Sequence, residues 1–253
     1  MDLGLQDRTY VITGGTSGLG RATAAALVAD GANVVVSSRN ADKVADAVRD
    51  LGSRAVGVTV DNGHPDAAEQ LLQEALGRFG AVHGLLVSVG GPPAGAASTV
   101  GDQAWREAFE SVFLGAVRLA RTFGAHLAAR GPDAGGAIGF VLSSSVRTPL
   151  PRLAISNGLR PGLAMFAKDL ADELGPKGVR VVNLVPGRIL TDRTIALEQG
   201  DADARARSEA NIPLRRLGEP AEFGRVAAMM MSPAASYVTG STVLIDGGMI
   251  RAL

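Results

Sequence analysis

Short apolar runs alternate along the chain with longer segments in which apolar residues recur at helical spacing. Seven of these runs are almost continuously apolar, which is typical of strands that are covered on both faces. They are Thr9–Thr13, Asn33–Ser37, Ala55–Val60, Gly84–Val89, Ala137–Leu142, Val179–Val185 and Thr242–Ile245. Helical spacing is clearest over Gly20–Asp30, Asp66–Phe79, Asp102–Ala129 and Ile155–Leu174. Because strands that alternate with helices build parallel βαβ units, the pattern predicts an α/β fold with a doubly wound, seven-stranded parallel sheet and helices on both faces.

We predict a single domain over residues 1–253, because no low-complexity linker or internal repeat interrupts this alternation. The Pro/Gly-rich stretch G90-G-P-P-A-G95 is predicted to be a loop after the fourth strand. The irregular segment Arg188–Leu217 lies between the last strand–helix units, where an insertion often forms a mobile flap over a ligand. A surface excursion or a subunit contact is the alternative for this segment.

The composition excludes several classes of function. Lys plus Arg and Asp plus Glu number 25 each, which gives no electrostatic case for a nucleic acid or an anionic membrane. We therefore expect a small-molecule substrate. The chain has no cysteine, which excludes disulfides, thiolate chemistry and zinc–thiolate sites, and no metal site is predicted. Neither a signal-peptide pattern nor a run of about 18 apolar residues is found, so a cytoplasmic protein is expected.

A glycine-rich turn, V11-I-T-G-G-T-S-G-L-G20, follows the first strand and leads into a helix. Glycine lets the backbone turn sharply and approach a pyrophosphate, and the helix start offers unpaired N–H groups to that anion. The turn therefore predicts a dinucleotide site in a Rossmann fold, and a tight turn without a ligand is the alternative. The predicted phosphate contacts are Gly14, Thr16, Ser17, Gly18, Leu19 and Gly20.

The end of the second strand, S37-S-R-N40, bears on the choice of cofactor. Ser38 stands where an NAD-type site has a carboxylate for the ribose 2′-hydroxyl, and Arg39 follows it. A planar guanidinium grips a 2′-phosphate through paired hydrogen bonds. NADP(H) is therefore favoured over NAD(H). The alternative is that Arg39 only begins the next helix, in solvent.

The spacing Thr-Gly-x-x-x-Gly-x-Gly over residues 13–20 resembles that of the short-chain dehydrogenase/reductase family. V185-P-G-R-I-L-T191 resembles the family segment that meets the nicotinamide, and Y237-V-T-G-S-T-V-L-I-D-G-G248 its final strand and turn. V87-S-V-G90 stands where the family has Asn-Asn-Ala-Gly. The resemblance runs nearly end to end, and it implies a homotetramer or homodimer. The further cofactor contacts that it implies are Asp61 at the adenine, together with Asn62, Ser88, Gly90, Arg160, Pro186, Gly187, Ile189 and Thr191.

The family typically protonates its substrate with a Tyr whose pKa is lowered by a Lys one helical turn later. In L153-A-I-S-N-G-L-R160, Ser156 stands at the Tyr position and Arg160 at the Lys position. Residues four apart share a helix face, so both side chains are predicted to point at one pocket. Ser is a far weaker acid than a phenol of pKa about 10, and Arg stays protonated. The usual proton donor is therefore missing.

Of two other residues that the family uses, the Ser is present and the Asn is lost. Ser143 lies 13 residues before Ser156, the family's usual separation between its Ser and its Tyr, so it ranks above Ser144 and Ser145. The family's Asn-x-x-Gly reads V112-F-L-G115, so the Asn that helps to hold a proton-relay water is lost.

The chain has only two tyrosines that could take the place of the missing acid. Tyr10 lies within the first strand and Tyr237 precedes the last, so neither is expected at the reaction centre.

Two functions follow from these residues. The first is an NADP(H)-dependent oxidoreductase that moves hydride to or from a carbonyl or alcohol substrate, with Ser143 and Ser156 orienting the substrate, Arg160 stabilising charge and water supplying the proton. The pattern I-S-N-G-L-R resembles an atypical branch of the family, similar to sequences labelled 3-oxoacyl-carrier-protein reductase-like, which favours this function. The alternative is a non-redox protein: a cofactor-binding regulatory or scaffold subunit, or a proton-transfer or cyclisation enzyme.

Overall fold

Seven parallel strands form one sheet in the order β3-β2-β1-β4-β5-β6-β7. The computed structural model describes residues 2–198, 201 and 203–251. The strands are β1 (Thr9–Thr13), β2 (Asn33–Ser38), β3 (Ala55–Thr59), β4 (Gly84–Val87), β5 (Gly136–Val141), β6 (Val179–Pro186) and β7 (Ser241–Ile245). The apolar runs of the sequence therefore predicted every strand of this sheet, each to within two residues at either end.

Helices cover both faces of the sheet, as the alternation predicted. They are α1 (Gly18–Ala29), α2 (Ala41–Leu51), α3 (Ala67–Phe79), α4 (Asp102–Ala108), α5 (Gly115–Ala129), α6 (Ala154–Leu174), α7 (Asp192–Glu198), α8 (Ala204–Asn211) and α9 (Pro220–Met231). One buried core joins the sheet to α3, α5 and α6, and a second joins the other face to α1, α2 and α9. The domain is therefore a doubly wound Rossmann fold.

The strand order reverses beside β1, which pairs with β2 on one side and with β4 on the other. In sheets of this kind ligands bind outside the carboxyl ends of the strands at such a reversal, because the flanking loops diverge there and leave a crevice. The glycine-rich turn follows β1 at this point, so the topology and the predicted phosphate site coincide.

The predicted helix over Asp102–Ala129 is not continuous. A π-helical turn, Phe109–Leu114, separates α4 from α5. A Cβ atom on Gly115 would overlap the carbonyl oxygen of Asn62, so the backbone of the chain passes directly against the start of α5. Periodicity alone did not reveal this interruption, since the apolar spacing continues through it. Val112, at the position of the lost Asn, lies in the π-helical turn and is buried.

The predicted flap, residues 188–217, is more regular than the sequence indicated. It contains α7 and α8. Residues 199, 200 and 202 of this segment lie outside the described residues. Parallel bridging of Ile189 to Gly218 joins the two ends of the segment. In the parts of the chain that the structure describes, none of the helices has the length and apolar character needed to cross a membrane.

Candidate active site

The backbone of the turn after β1 lies directly against the backbone at the end of β4, with no side chain between them. Gly14 has a φ of +57°, and a Cβ atom on it would overlap the carbonyl oxygen of Ser88. Thr13 and Ser88 fix the same approach, because the Ser88 N–H donates to Thr13 Oγ1 at 3.0 Å and that hydroxyl donates to the Ser88 carbonyl at 3.1 Å. A Cβ on Gly20 would in turn overlap the Gly14 carbonyl. Glycine is thus required at both positions for the turn to close.

Helix α1 begins at Gly18 and presents its N-terminus to the site. Its N-cap residue, Ser17, has an extended backbone and makes no side-chain cap bond, so the first N–H groups of the helix have no side-chain acceptor from it. The Cβ position of Gly18 lies 3.6 Å from Thr191 Cγ2. An open cleft of about 530 Å³ runs between α1, Leu190–Asp192 and the start of α9. The helix start can therefore receive an anion beside Thr191.

Arg39 turns toward the predicted adenine end of the site. Its Nη1 lies 3.9 Å from Asp61 Oδ2, although both side chains are largely exposed. The other Asp61 oxygen, Oδ1, accepts from the Gly63 N–H at 2.9 Å. Because α2 begins only at Ala41, with Asn40 as its cap, Arg39 is not part of that helix. The structure thus brings Arg39 and Asp61 together, at the ends of β2 and β3.

The segment after β6 is held in place by close backbone contacts. A Cβ on Gly187 would come within 2.6 Å of Asp246 Cα, and the Gly187 N–H donates to the Ile245 carbonyl at 3.0 Å. Ile189 is buried, and its carbonyl accepts from Thr194 Oγ1 at 2.6 Å. The backbone over Pro186–Thr191 is therefore positioned across the site from the turn after β1.

Ser156 and Arg160 lie on one buried face of α6, as their spacing predicted. Each is 5% exposed. Arg160 donates from Nη1 to the Val141 carbonyl, at the end of β5, at 2.8 Å. The Ser156 hydroxyl lies 3.1 Å from the Ser145 hydroxyl. Two hydroxyls and one guanidinium therefore lie along this end of α6, next to the carboxyl end of β5.

The serine nearest to Ser156 is not the one ranked first from the sequence. Ser143 Oγ accepts from the Ser145 N–H at 3.2 Å and so caps the 3₁₀ turn Ser144–Val146. That turn carries Ser145 back toward α6. The 13-residue separation does not account for the turn, so it cannot distinguish the three serines. Three consecutive serines at a strand end were the only sign that Ser145 was a candidate.

Burial of Arg160, reinforced by the positive charge of Arg193, lowers the pKa of its guanidinium from 12.5 to about 10. Arg160 thus stays protonated at neutral pH, and it brings a positive charge to the carboxyl end of β5. Arg193, at the start of α7, donates from Nη2 to the Pro92 carbonyl at 2.6 Å. This contact joins the predicted flap to the loop after β4.

Neither tyrosine replaces the missing acid. Tyr10 is buried in the core on the α9 face of the sheet, opposite to α6, and its hydroxyl donates to the Met231 carbonyl at 3.4 Å. Burial raises the pKa of Tyr10 to about 12, which makes it a still weaker acid. Tyr237 is fully exposed. The absence of a phenol from the site is therefore a property of the fold as well as of the motif.

Comparison with known proteins shows the family. The sequence model described as Enoyl-(Acyl carrier protein) reductase matches residues 14–250. An uncharacterized oxidoreductase of Mycobacterium tuberculosis (strain CDC 1551 / Oshkosh) is 34% identical over 248 residues, covering 97% of this chain and 93% of the relative. The chain therefore belongs to the short-chain dehydrogenase/reductase family of oxidoreductases.

Solved structures agree with this assignment over the full length. L-sorbose reductase from Gluconobacter frateurii, crystallised with NADPH and L-sorbose, is 30% identical and superposes with a TM-score of 0.92. The match covers 100% of this chain and 100% of that one. The 3-ketoacyl-(acyl-carrier-protein) reductase from Brucella melitensis, in complex with NADH, is 27% identical with a TM-score of 0.89, over 97% of this chain and 99% of that one. Proteins of this fold thus include complexes with either nicotinamide cofactor.

Proposed function

We propose that the protein is an NADP(H)-dependent oxidoreductase that transfers hydride to or from a carbonyl or alcohol on a small molecule. In this proposal Ser156 and Arg160 replace the family's Tyr and Lys. The observation that carries the proposal is the buried, protonated Arg160 beside the hydroxyls of Ser145 and Ser156, at the same edge of the sheet as a complete phosphate turn. These two features together support a redox site at this edge of the sheet.

The residues present fit a nicotinamide dinucleotide. The turn after β1 has no room for side chains at Gly14 and Gly20, and the start of α1 offers N–H donors to a pyrophosphate. The remaining cofactor contacts are proposed to come from Thr16, Ser17, Gly18, Leu19, Ser38, Asn62, Ser88, Gly90 and Pro186–Thr191. When bound, the nicotinamide supplies or accepts the hydride.

Arg39 supports the preference for NADP(H). It is a cation at the end of β2 with no carboxylate on its own strand, and its partner Asp61 is 3.9 Å away and largely exposed. An exposed pair of this kind contributes little to stability. Arg39 can thus leave Asp61 and bind a 2′-phosphate with little loss, whereas Asp61 stays fixed by the Gly63 N–H.

The protein's own residues suit the stabilisation of charge better than the transfer of protons. The hydroxyls of Ser145 and Ser156 can donate hydrogen bonds to a substrate oxygen, and Arg160 stabilises negative charge that develops on that oxygen. Ser is too weak an acid to replace a phenol, so water supplies the proton. Ser143, half-buried at the end of β5, is retained as a second candidate for substrate contact.

A non-redox function is the alternative, and one observation favours it. Val112 occupies the position of the family's Asn and is buried, so no side chain there holds a relay water. With the Tyr and Lys also replaced, the fold can bind a nucleotide without turning over a carbonyl, or can use the pocket for proton transfer or cyclisation.

Cofactor titration followed by turnover separates these functions. NADPH and NADH are titrated by fluorescence, and absorbance of the reduced nicotinamide is then followed with a panel of ketones and quinones. We expect tighter binding of NADPH and turnover of at least one substrate, with lower turnover in Ser145→Ala and in Ser156→Ala. Tight NADPH binding without any turnover favours the alternative. Failure to bind either nucleotide contradicts the oxidoreductase and every version of the alternative in which the protein binds a nucleotide.

We also propose a homo-oligomer, either a tetramer or a dimer. Phe109 is 43% exposed and Met165, on α6, is 69% exposed. Large apolar side chains that a monomer leaves in water are often covered by a second subunit. Light scattering during size-exclusion chromatography tests this, and a monomer at all protein concentrations would contradict it.

A further inference from the structure

Two arginines on different helices approach one region, at the carboxyl ends of β4 and β5. Arg160 reaches it from α6 and donates to the Val141 carbonyl at the end of β5. Arg193 reaches it from α7 and donates to the Pro92 carbonyl, in the loop after β4. Because β4 and β5 are paired neighbours in the sheet, the two guanidinium groups lie at the carboxyl ends of adjacent strands.

Neither arginine has a carboxylate partner among residues 2–198, 201 and 203–251. The ion pairs within this part of the chain involve other residues. Asp192, next to Arg193 in sequence, lines the separate cleft beside α1. Arg160 uses only one of the five N–H donors of its guanidinium, from Nη1, in the hydrogen bonds of the described residues.

An unpaired buried cation is costly, since burial removes its hydration without supplying an opposite charge. Arg160 is 5% exposed, so its guanidinium is almost completely desolvated, and its one hydrogen bond, to the Val141 carbonyl, offsets this cost without supplying an opposite charge. Arg193 adds a second positive charge, and its guanidinium lies about 3.0 Å from the Cβ position of Gly91. Gly90, the preceding residue, is exposed, and its Cβ position has no neighbour within 4 Å. The structure thus places two cations without carboxylate partners in one region of the described chain, and the loop beside Arg193 is open at Gly90.

We propose that this region binds the carboxylate of an acidic substrate, a hydroxy acid or oxo acid, with the buried Arg160 on the α6 side and the exposed Arg193 on the α7 side. The proposal rests on the proposed function for the identity of the reaction, but the anion site stands on the two arginines alone. A guanidinium binds a carboxylate through two parallel N–H···O bonds, which adds direction to the attraction of charge. Arg193 would then select acids over neutral alcohols and ketones.

The pyrophosphate of the cofactor is the other anion that Arg193 could serve. The turn after β1 and the start of α1 are the predicted site for that group, and Thr191 and Asp192 lie beside them. Arg193 instead contacts the loop after β4 at Pro92. The contact of Arg193 therefore favours a substrate anion, and the experiment must measure both ligands.

Benzoate and benzamide, which share a shape but differ in charge, are titrated calorimetrically into the protein with and without saturating NADPH. NADPH itself is titrated separately. The variants are Arg193→Gln, which alters an exposed side chain and leaves the core intact, and the control Arg78→Gln, which removes an exposed arginine from α3. We expect benzoate to bind about tenfold more tightly than benzamide, and Arg193→Gln to remove that difference while Arg78→Gln keeps it.

Equal binding of benzoate and benzamide, or no binding of either, overturns the proposal. The proposal is also overturned if Arg193→Gln keeps the preference for benzoate. It is overturned as well if Arg193→Gln weakens only the binding of NADPH, since the guanidinium would then bind the pyrophosphate. If benzoate binds as expected but NADPH does not bind at all, the anion site stands and the proposed redox function fails. If NADPH binds and benzoate does not, the anion site fails, and the turnover assay alone decides the proposed redox function.

Discussion

Replacing Arg160 with Met should have little effect on stability and a large effect on function. Met has a similar reach without the charge, so the core around α6 remains filled. Burial, reinforced by Arg193, lowers the pKa of Arg160 from 12.5 to about 10. Because a tenfold change in acidity corresponds to about 1.4 kcal/mol, the folded protein keeps this group charged at a cost of roughly 3 kcal/mol.

The sign of this effect follows from the direction of the pKa change. At pH 7 the guanidinium is protonated in both the folded and the unfolded chain, so the full cost is present and declines only as the pH rises above about 10. The compensating interaction is one hydrogen bond to Val141, of about 1.5 to 3 kcal/mol. The cost of keeping Arg160 charged and the stabilisation by this hydrogen bond nearly cancel. Arg160→Met should therefore change the free energy of unfolding at pH 7 by no more than about 1.5 kcal/mol in either direction.

Arg180 provides the matched control. It is also largely buried, but it donates to three carbonyls, those of Met230, Ser232 and Val238. Arg180→Met should lower the free energy of unfolding by about 3 kcal/mol or more, because three charge-assisted bonds are lost together. Urea unfolding measures both variants, and turnover with NADPH is measured alongside. A destabilisation of Arg160→Met as large as that of Arg180→Met, with normal turnover, would refute a functional role for Arg160.

Three further predictions concern the cofactor site and the pH dependence of stability. Arg39→Gln should raise the Kd for NADPH about tenfold and leave NADH unchanged, measured by fluorescence titration; an equal effect on both would contradict the assignment of the 2′-phosphate. Gly14→Ala should lower the free energy of unfolding by about 2 to 5 kcal/mol, measured by thermal unfolding. Gly80→Ala, at a positive φ but with open space around the Cβ position, should lower it by only about 1 kcal/mol. Similar losses in the two variants would contradict the close approach at Gly14. His83 accepts the Thr9 N–H, and burial, with smaller effects from nearby arginines, lowers its pKa to about 4. Its contribution to stability is therefore fully present above its unfolded pKa of about 6.5, and the free energy of unfolding should fall as the pH drops from there toward 4. The fall should be less steep in His83→Asn, whose amide oxygen can accept the same hydrogen bond. An unchanged slope in His83→Asn would exclude His83 as the cause.

The strands and the phosphate turn could be predicted from the sequence because their signals are local. An apolar run of five residues is covered on both faces wherever it lies in a parallel sheet, so β1 and β2 are readable without knowing their neighbours. The glycines after β1 are likewise determined by a local turn. The spacing of Ser156 and Arg160 predicted a shared face of α6 for the same reason, since four residues make about one helical turn.

The remaining features depend on contacts between distant segments. Ser145 meets Ser156 only because a 3₁₀ turn follows β5, and a count of residues does not reveal that turn. The interruption of the helix at Phe109–Leu114 is accompanied by the close approach of Asn62 to Gly115, which are far apart in sequence. Arg193 is one of many arginines until the fold places it against Pro92. The role proposed for it could not be derived from the motif.

The central claim, that this site transfers hydride without the family's Tyr and Lys, is tested most directly by isotope transfer. The protein is incubated with NADPH that carries deuterium at the transferable position, together with a panel of oxo acids and neutral ketones, and the products are analysed by mass spectrometry. We predict deuterium on the carbinol carbon of at least one product, and its loss in Arg160→Met. Unlabelled products throughout, from a protein that binds NADPH, would contradict the claim.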